Sequence, residues 1–129
     1  MTPVTKQAWI DALRSGEFNQ CTGALGKLAD GGGINYCCLG VLATLAGAEH
    51  RIDLSGEMNI LTFDFGDGAE DNGVIPASLR RTIVSDLNLE QMIVETGPDR
   101  EDDLMRTLSS KNDRGATFAE IANYLETVA

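Results

Sequence analysis

The sequence predicts an α+β fold that is mostly helical, with about five helices around one buried central helix and a small β-sheet. Three observations carry this. Residues 34–48, including Tyr36, Cys37, Leu39, Val41, Leu42 and Leu45, are apolar nearly all round, as expected of a helix without a solvent face. Thr117 with Glu120 three residues later makes a capping box ahead of Phe118, Ile121, Ala122 and Leu125 at helical spacing. Residues 60–65, Ile-Leu-Thr-Phe-Asp-Phe, have the composition of a strand.

In chain order, Thr2-Pro3 and Thr5 offer alternative helix starts, Pro3 suiting a first-turn position. Trp9, Ile10 and Leu13 follow at helical spacing. Gly16 ends that helix, because glycine readily takes the left-handed cap conformation, and Phe18 folds back onto the apolar stripe. Residues 20–28 read either as helix, from Leu25 and Leu28, or as a short strand, since Gly23 and Gly26 weaken a helix. Asp30-Gly31-Gly32-Gly33 is the strongest turn signal. The central helix follows it and ends at Gly47. A loop rich in glycine and acid covers 66–73. Ile75-Pro76 opens a helix over 77–87, and 89–94 reads as a second strand, broken by Gly97-Pro98. Residues 99–111 read as helix, with Asp99, Glu101, Asp102 and Asp103 in its first turns, where they complement the dipole. Asn112-Asp113-Arg114-Gly115 makes a turn before the last helix. No repeat or linker interrupts the chain, so 1–129 reads as a single domain.

Composition narrows the function. Ten Lys and Arg against twenty Asp and Glu give a formal net charge of −10, which repels nucleic acid and anionic membranes. That sign suits solubility, a basic protein partner or mimicry of a polyanion. With 43% hydrophobic residues a core forms without metal or disulfide staples. The three cysteines, Cys21, Cys37 and Cys38, are an odd set with an adjacent pair, a poor disulfide framework. No signal peptide or membrane span is visible. A cytoplasmic location, within a host cell, is therefore expected, with no cofactor.

The residues capable of chemistry do not assemble into an enzyme's pattern. Cys21, Cys37, Cys38 and His50 match no common zinc spacing, and His50, just past the central helix, reads as a C-terminal cation. The acidic loop with Asp64, Asp67, Glu70 and Asp71 has calcium-type ligands without EF-hand spacing. A metal-dependent hydrolase using Asp64 and Asp67 is the enzymatic alternative. Gly31, Gly32 and Gly33 before a helix are the one place where an acidic protein can hold a small anion, because backbone N–H groups and the dipole do not depend on net charge. Arg14 and Lys27 are the cations nearest in sequence, and Tyr36 or Trp9 the aromatics for such a site.

Trp9-Ile-Asp-Ala-Leu-Arg-Ser-Gly16, Phe18, Gln20, Tyr36-Cys-Cys-Leu-Gly-Val-Leu42 and, at the end, Asn112-Asp113, Gly115, Phe118, Ile121-Ala122 and Glu126 together resemble a family of small bacteriophage and prophage accessory proteins. Cys21-Thr22 departs from that pattern, where glycine and a basic residue are expected. The resemblance implies no catalytic residue. It implies a non-enzymatic inhibitor of host antiviral defence, and a homo-oligomer is compatible with it. One form of it sequesters a nucleotide signal at Arg14, Lys27, Gly31, Gly32, Gly33 and Tyr36. The other presents Asp99, Glu101, Asp102 and Asp103 to the basic groove of a host defence nuclease.

Overall fold

A computed structural model describes residues 3–29, 31, 33–52, 60–66, 70–71, 84, 93–95 and 101–127. Helix α1 (Lys6–Arg14) starts at the second of the two candidate caps. The Thr5 hydroxyl accepts the Ala8 N–H at 3.1 Å, satisfying a donor that has no partner within the helix. Its apolar stripe buries Trp9, Ile10 and Leu13. Ser15 closes it, and Gly16 follows at φ +77°.

Residues 20–28 are not helical: Gln20 ends one short strand, 26–28 form another, and 21–25 link them. β1 (Asn19–Gln20), β2 (Gly26–Leu28) and β3 (Ile34–Tyr36) form a sheet in the order β1-β3-β2. β1 runs parallel to β3, in register Asn19↔Asn35 and Gln20↔Tyr36, and β2 runs antiparallel to it. The glycine turn is thus the tip of the β2–β3 hairpin. There Ala29 donates its N–H to Gly33 O at 2.7 Å, and Gly31 sits at φ +89°. Gly32 lies outside the described residues.

The central helix is shorter than expected. α2 (Cys38–Leu45) begins four residues later than 34, because Ile34, Asn35 and Tyr36 are held on both sides by β1 and β2. Its place at the centre is as expected: Cys38, Leu39, Val41, Leu42 and Ala43 are wholly buried. Gly40 is where α2 meets the chain entering β2, and a Cβ there would lie 1.9 Å from Leu25 O. Gly47, at φ +90°, turns the chain out of the helix.

β4 (Glu49–Ile52), β5 (Leu61–Asp64) and β6 (Glu70–Asp71) make a second, antiparallel sheet in that order. His50 therefore lies on a strand, in register with Phe63 and with its ring 5.7 Å from that ring, rather than at a helix end. Leu61 and Phe63 are buried while Thr62 and Asp64 are not, the two-residue period of a one-sided strand. A bridge between Lys27 and Ile60 joins the two sheets.

β7 (Ile93–Glu95) and β8 (Glu101–Asp103) form an antiparallel ribbon. The acids expected at the start of a helix are corrected here. Glu101, Asp102 and Asp103 are in β8, paired with β7, and the helix begins after them; Asp99 lies outside the described residues. α3 (Leu104–Asp113) and α4 (Phe118–Thr127) follow. Asn112 and Asp113 are thus the last helical residues and not the turn, which falls at Arg114-Gly115. The capping box is present: Glu120 N–H donates to the Thr117 hydroxyl and Thr117 N–H to the Glu120 carboxylate, both at 3.2 Å. The described residues hold four helices. Of the expected helix over 77–87 only Val84 is described, and it bridges Val4 in parallel. α1 packs on α4 and α2, and α3 on α2 and α4, around one core that includes Trp9, Leu25, Leu39, Phe63, Leu108 and Leu125.

Candidate functional site

Gln20, Cys38, Asn112 and Asp113 meet in a structural knot. Asn112, wholly buried, accepts the Cys38 N–H at 3.2 Å and the Gln20 Nε2–H at 2.9 Å through Oδ1. Its Nδ2 donates to Cys21 O at 2.8 Å. Gln20 also donates to Ala116 O, and Asp113 accepts the Gly23 N–H at 2.9 Å. One amide thereby ties β1, the start of α2 and the end of α3 together, and its buried polar atoms are satisfied.

The helix start expected directly behind the glycine turn lies instead at Cys38, inside that knot. Gly31 and Gly33 precede a strand, so no helix dipole points at them. The positive end of α2 is closed by protein acceptors: Asn112 Oδ1 on Cys38 N–H, and Cys37 Sγ on Gly40 N–H at 3.4 Å. Arg14 is committed to α4, with Nη1 on the Glu126 carboxylate and Nη2 on Asn123 Oδ1 at 2.7 Å. The Glu126 hydrogen bond raises its pKa further. Lys27 lies on β2 opposite Asn35, with Nζ over Gly23. Tyr36 is half-buried, its ring edge-on to Phe18 at 5.3 Å, and burial raises its pKa. Trp9 is wholly buried and donates Nε1–H to Cys38 O at 3.1 Å, so it offers no face to a ligand. The expected anion-binding set is dispersed over separate contacts.

The cysteines diverge. Cys37 turns to Gly40 N–H, while Cys38 donates to Leu108 O at 3.6 Å. Burial pushes the Cys37 thiol up to about 12 and Cys38 well above 9.0. Both are therefore largely protonated near neutral pH, without the activation of a catalytic nucleophile or the thiolate of a resting metal ligand. Among the described residues no three His, Cys, Asp or Glu side chains come together to hold a metal. Asp67, the hydrolase reading's second carboxylate, lies outside those residues.

What the fold does assemble is an acidic cleft. A hollow of about 280 Å³ is lined by Gly47, Glu49, Asp64, Phe65 and Gly66. The register of β4 on β5 sets Glu49 directly opposite Asp64, and β6 continues the row with Glu70. Glu49 and Asp64 are exposed, and Asp64 Oδ1 is steadied by the Gly66 N–H at 2.8 Å. The cleft abuts the C-terminal, electronegative end of α2. Like charges directly opposite on a sheet are destabilising, and a cation seated between them reverses that sign. Arg51 follows two residues later on the same strand, in register with Thr62. Asp64 is visible in the sequence as an acid-loop residue. Glu49 is not, because only the strand register brings it there.

Fold and cleft define a small α+β domain with an anionic hollow on its second sheet. The chain belongs to the family of the domain of unknown function DUF8296, which matches it over residues 1–129. No curated protein and no solved structure matches it. No helix among the described residues is long and apolar enough to cross a membrane.

Proposed function

We propose that this chain is a non-enzymatic accessory protein of the bacteriophage kind that inhibits host antiviral defence by occupying a basic surface of a host defence protein. The observation that supports this reading is the Glu49–Asp64 cleft. It is an acidic hollow of about 280 Å³, on a chain with ten more acids than bases. A lysine or arginine of the partner enters it, and the surrounding acidity steers the encounter. Sequestering a nucleotide signal is the weaker form of the proposal, since Arg14 and the helix end that would hold its phosphates have protein partners.

The test is capture of a partner on the immobilised chain, followed by titration of the two purified proteins at low and physiological salt. Affinity is expected to fall with salt. The double variant Glu49→Gln, Asp64→Asn is expected to lose on the order of tenfold, about 1.4 kcal/mol. Salt-insensitive binding that the double variant leaves unchanged overturns the reading. So does release of a nucleotide on heating the purified protein in native mass spectrometry, which restores the messenger reading with Lys27 as the residue to mutate.

A further inference from the structure

The odd cysteine count argues against a disulfide framework, yet the strand register, extended by one residue, sets two of the three opposite each other. The parallel ladder pairs Asn19 with Asn35 and Gln20 with Tyr36. The Cys21 N–H continues it by donating to Tyr36 O at 2.8 Å. Extending that register by one step sets Cys21 opposite Cys37, the residue after β3, whose backbone is still extended at φ −83°, ψ 174°. Neighbouring strands lie roughly 4.8 Å apart, inside the Cα separation of roughly 4.4–6.8 Å that a disulfide needs. Cys21 Sγ leans over β3, donating to Asn35 O at 3.5 Å and to Ala24 O at 3.8 Å. Cys38, the competing neighbour, is wholly buried and turned to Leu108 O.

We infer that Cys21 and Cys37 form a reversible disulfide, a redox site that ties the end of β1 to the start of α2. The oxidant is a low-molecular-weight disulfide. Cys21 is half-buried and Cys37 buried, so the oxidant meets Cys21 first. The Cys21 thiolate attacks one sulfur of the oxidant, its S–S bond breaks, and the released thiolate takes up a proton. Cys37, giving up its proton, then attacks Cys21 Sγ, and the second small thiol leaves with that proton. Two protein thiols are oxidised and one disulfide is reduced to two thiols. The link encloses the β2–β3 hairpin and draws Cys37 Sγ away from the Gly40 N–H that it caps. Intracellular disulfides are mostly transient and redox-sensing, and this one needs no third cysteine.

The test is equilibration of the full chain with reduced and oxidised glutathione over a range of ratios, followed by acid quench and peptide mapping without reductant. The expected product is a Cys21 peptide joined to the Cys37-Cys38 peptide, two hydrogens lighter than the free pair and restored by reductant. Fragmentation between Cys37 and Cys38 is expected to place the link on Cys37. Cys38→Ala is expected to retain the link and Cys21→Ser to abolish it, each with a cooperative melt as the check on folding. Glutathione on Cys21 with Cys37 still free at every ratio overturns the inference, as does a link through Cys38. Because fragmentation of the unsubstituted protein locates the link, the outcome does not depend on whether either variant folds.

Discussion

Asn112 makes three hydrogen bonds to groups 74 to 92 residues away in the chain. Asn112→Ala leaves the buried Cys38 N–H and Cys21 C=O without their partner, at about 1–3 kcal/mol for each unsatisfied group. Its urea midpoint is expected to fall accordingly, with the slope unchanged; a wild-type midpoint would show that water or a neighbour replaces the amide. The buried thiols carry a second residue-scale prediction. Their pKa values are raised in the folded state, so the unfolded chain loses those protons first as pH passes 9. For Cys37 stability is thus full below pH 9 and falls above it towards pH 12, by about 1.4 kcal/mol per pH unit, and Cys38 adds a loss of the same sign. Cys38→Ala is expected to flatten the alkaline limb by one thiol's share, and an unchanged slope refutes the assignment. None of the Asn112 partners is legible in the sequence. Asn-Asp ahead of Arg-Gly reads as a turn because those side chains favour turns, and only burial against distant chain makes this Asn helical.

At the scale of elements, helix starts with a local cause are readable in the sequence and those with a tertiary cause are not. Thr117 and Glu120 satisfy each other within four residues, so the cap of α4 is evident. Thr117→Ala is expected to cost about 1 kcal/mol, measurable as a lower melting temperature. The pattern sets the start of α2 too early because Ile34, Asn35 and Tyr36 run into the helix without a break. A short buried strand cannot be told from buried helix by periodicity alone. Glu101, Asp102 and Asp103 mislead in the opposite way: acids suit a helix N-terminus, but pairing with β7 overrides that preference. Gly40→Ala sets a methyl against Leu25 backbone oxygen at 1.9 Å, which neither backbone can relieve alone. The expected loss is at least the ~3 kcal/mol at the upper end of overpacking, read in denaturant against the conservative Ala43→Gly.

For the whole molecule, the acid excess is a matter of composition, and the α+β class follows from the contrast between the apolar stretches and the strand at 60–65. The cleft is not legible, since Glu49 and Asp64 are 15 positions apart and meet only through the register of β4 on β5. The packing of α1 on α4 is equally hidden, and it joins residues as far apart as Arg14 and Glu126, separated by 112 positions. That closure has a consequence during synthesis. At about 5–20 residues per second, a ribosome needs roughly 6–22 s to deliver the partner of α1 after α1 itself. Until then the Trp9, Ile10 and Leu13 stripe stays partly uncovered, a ready target for chaperones that hold nascent chains. A product that terminates before α4 is expected to leave that stripe uncovered and to be cleaved faster by protease than the full chain.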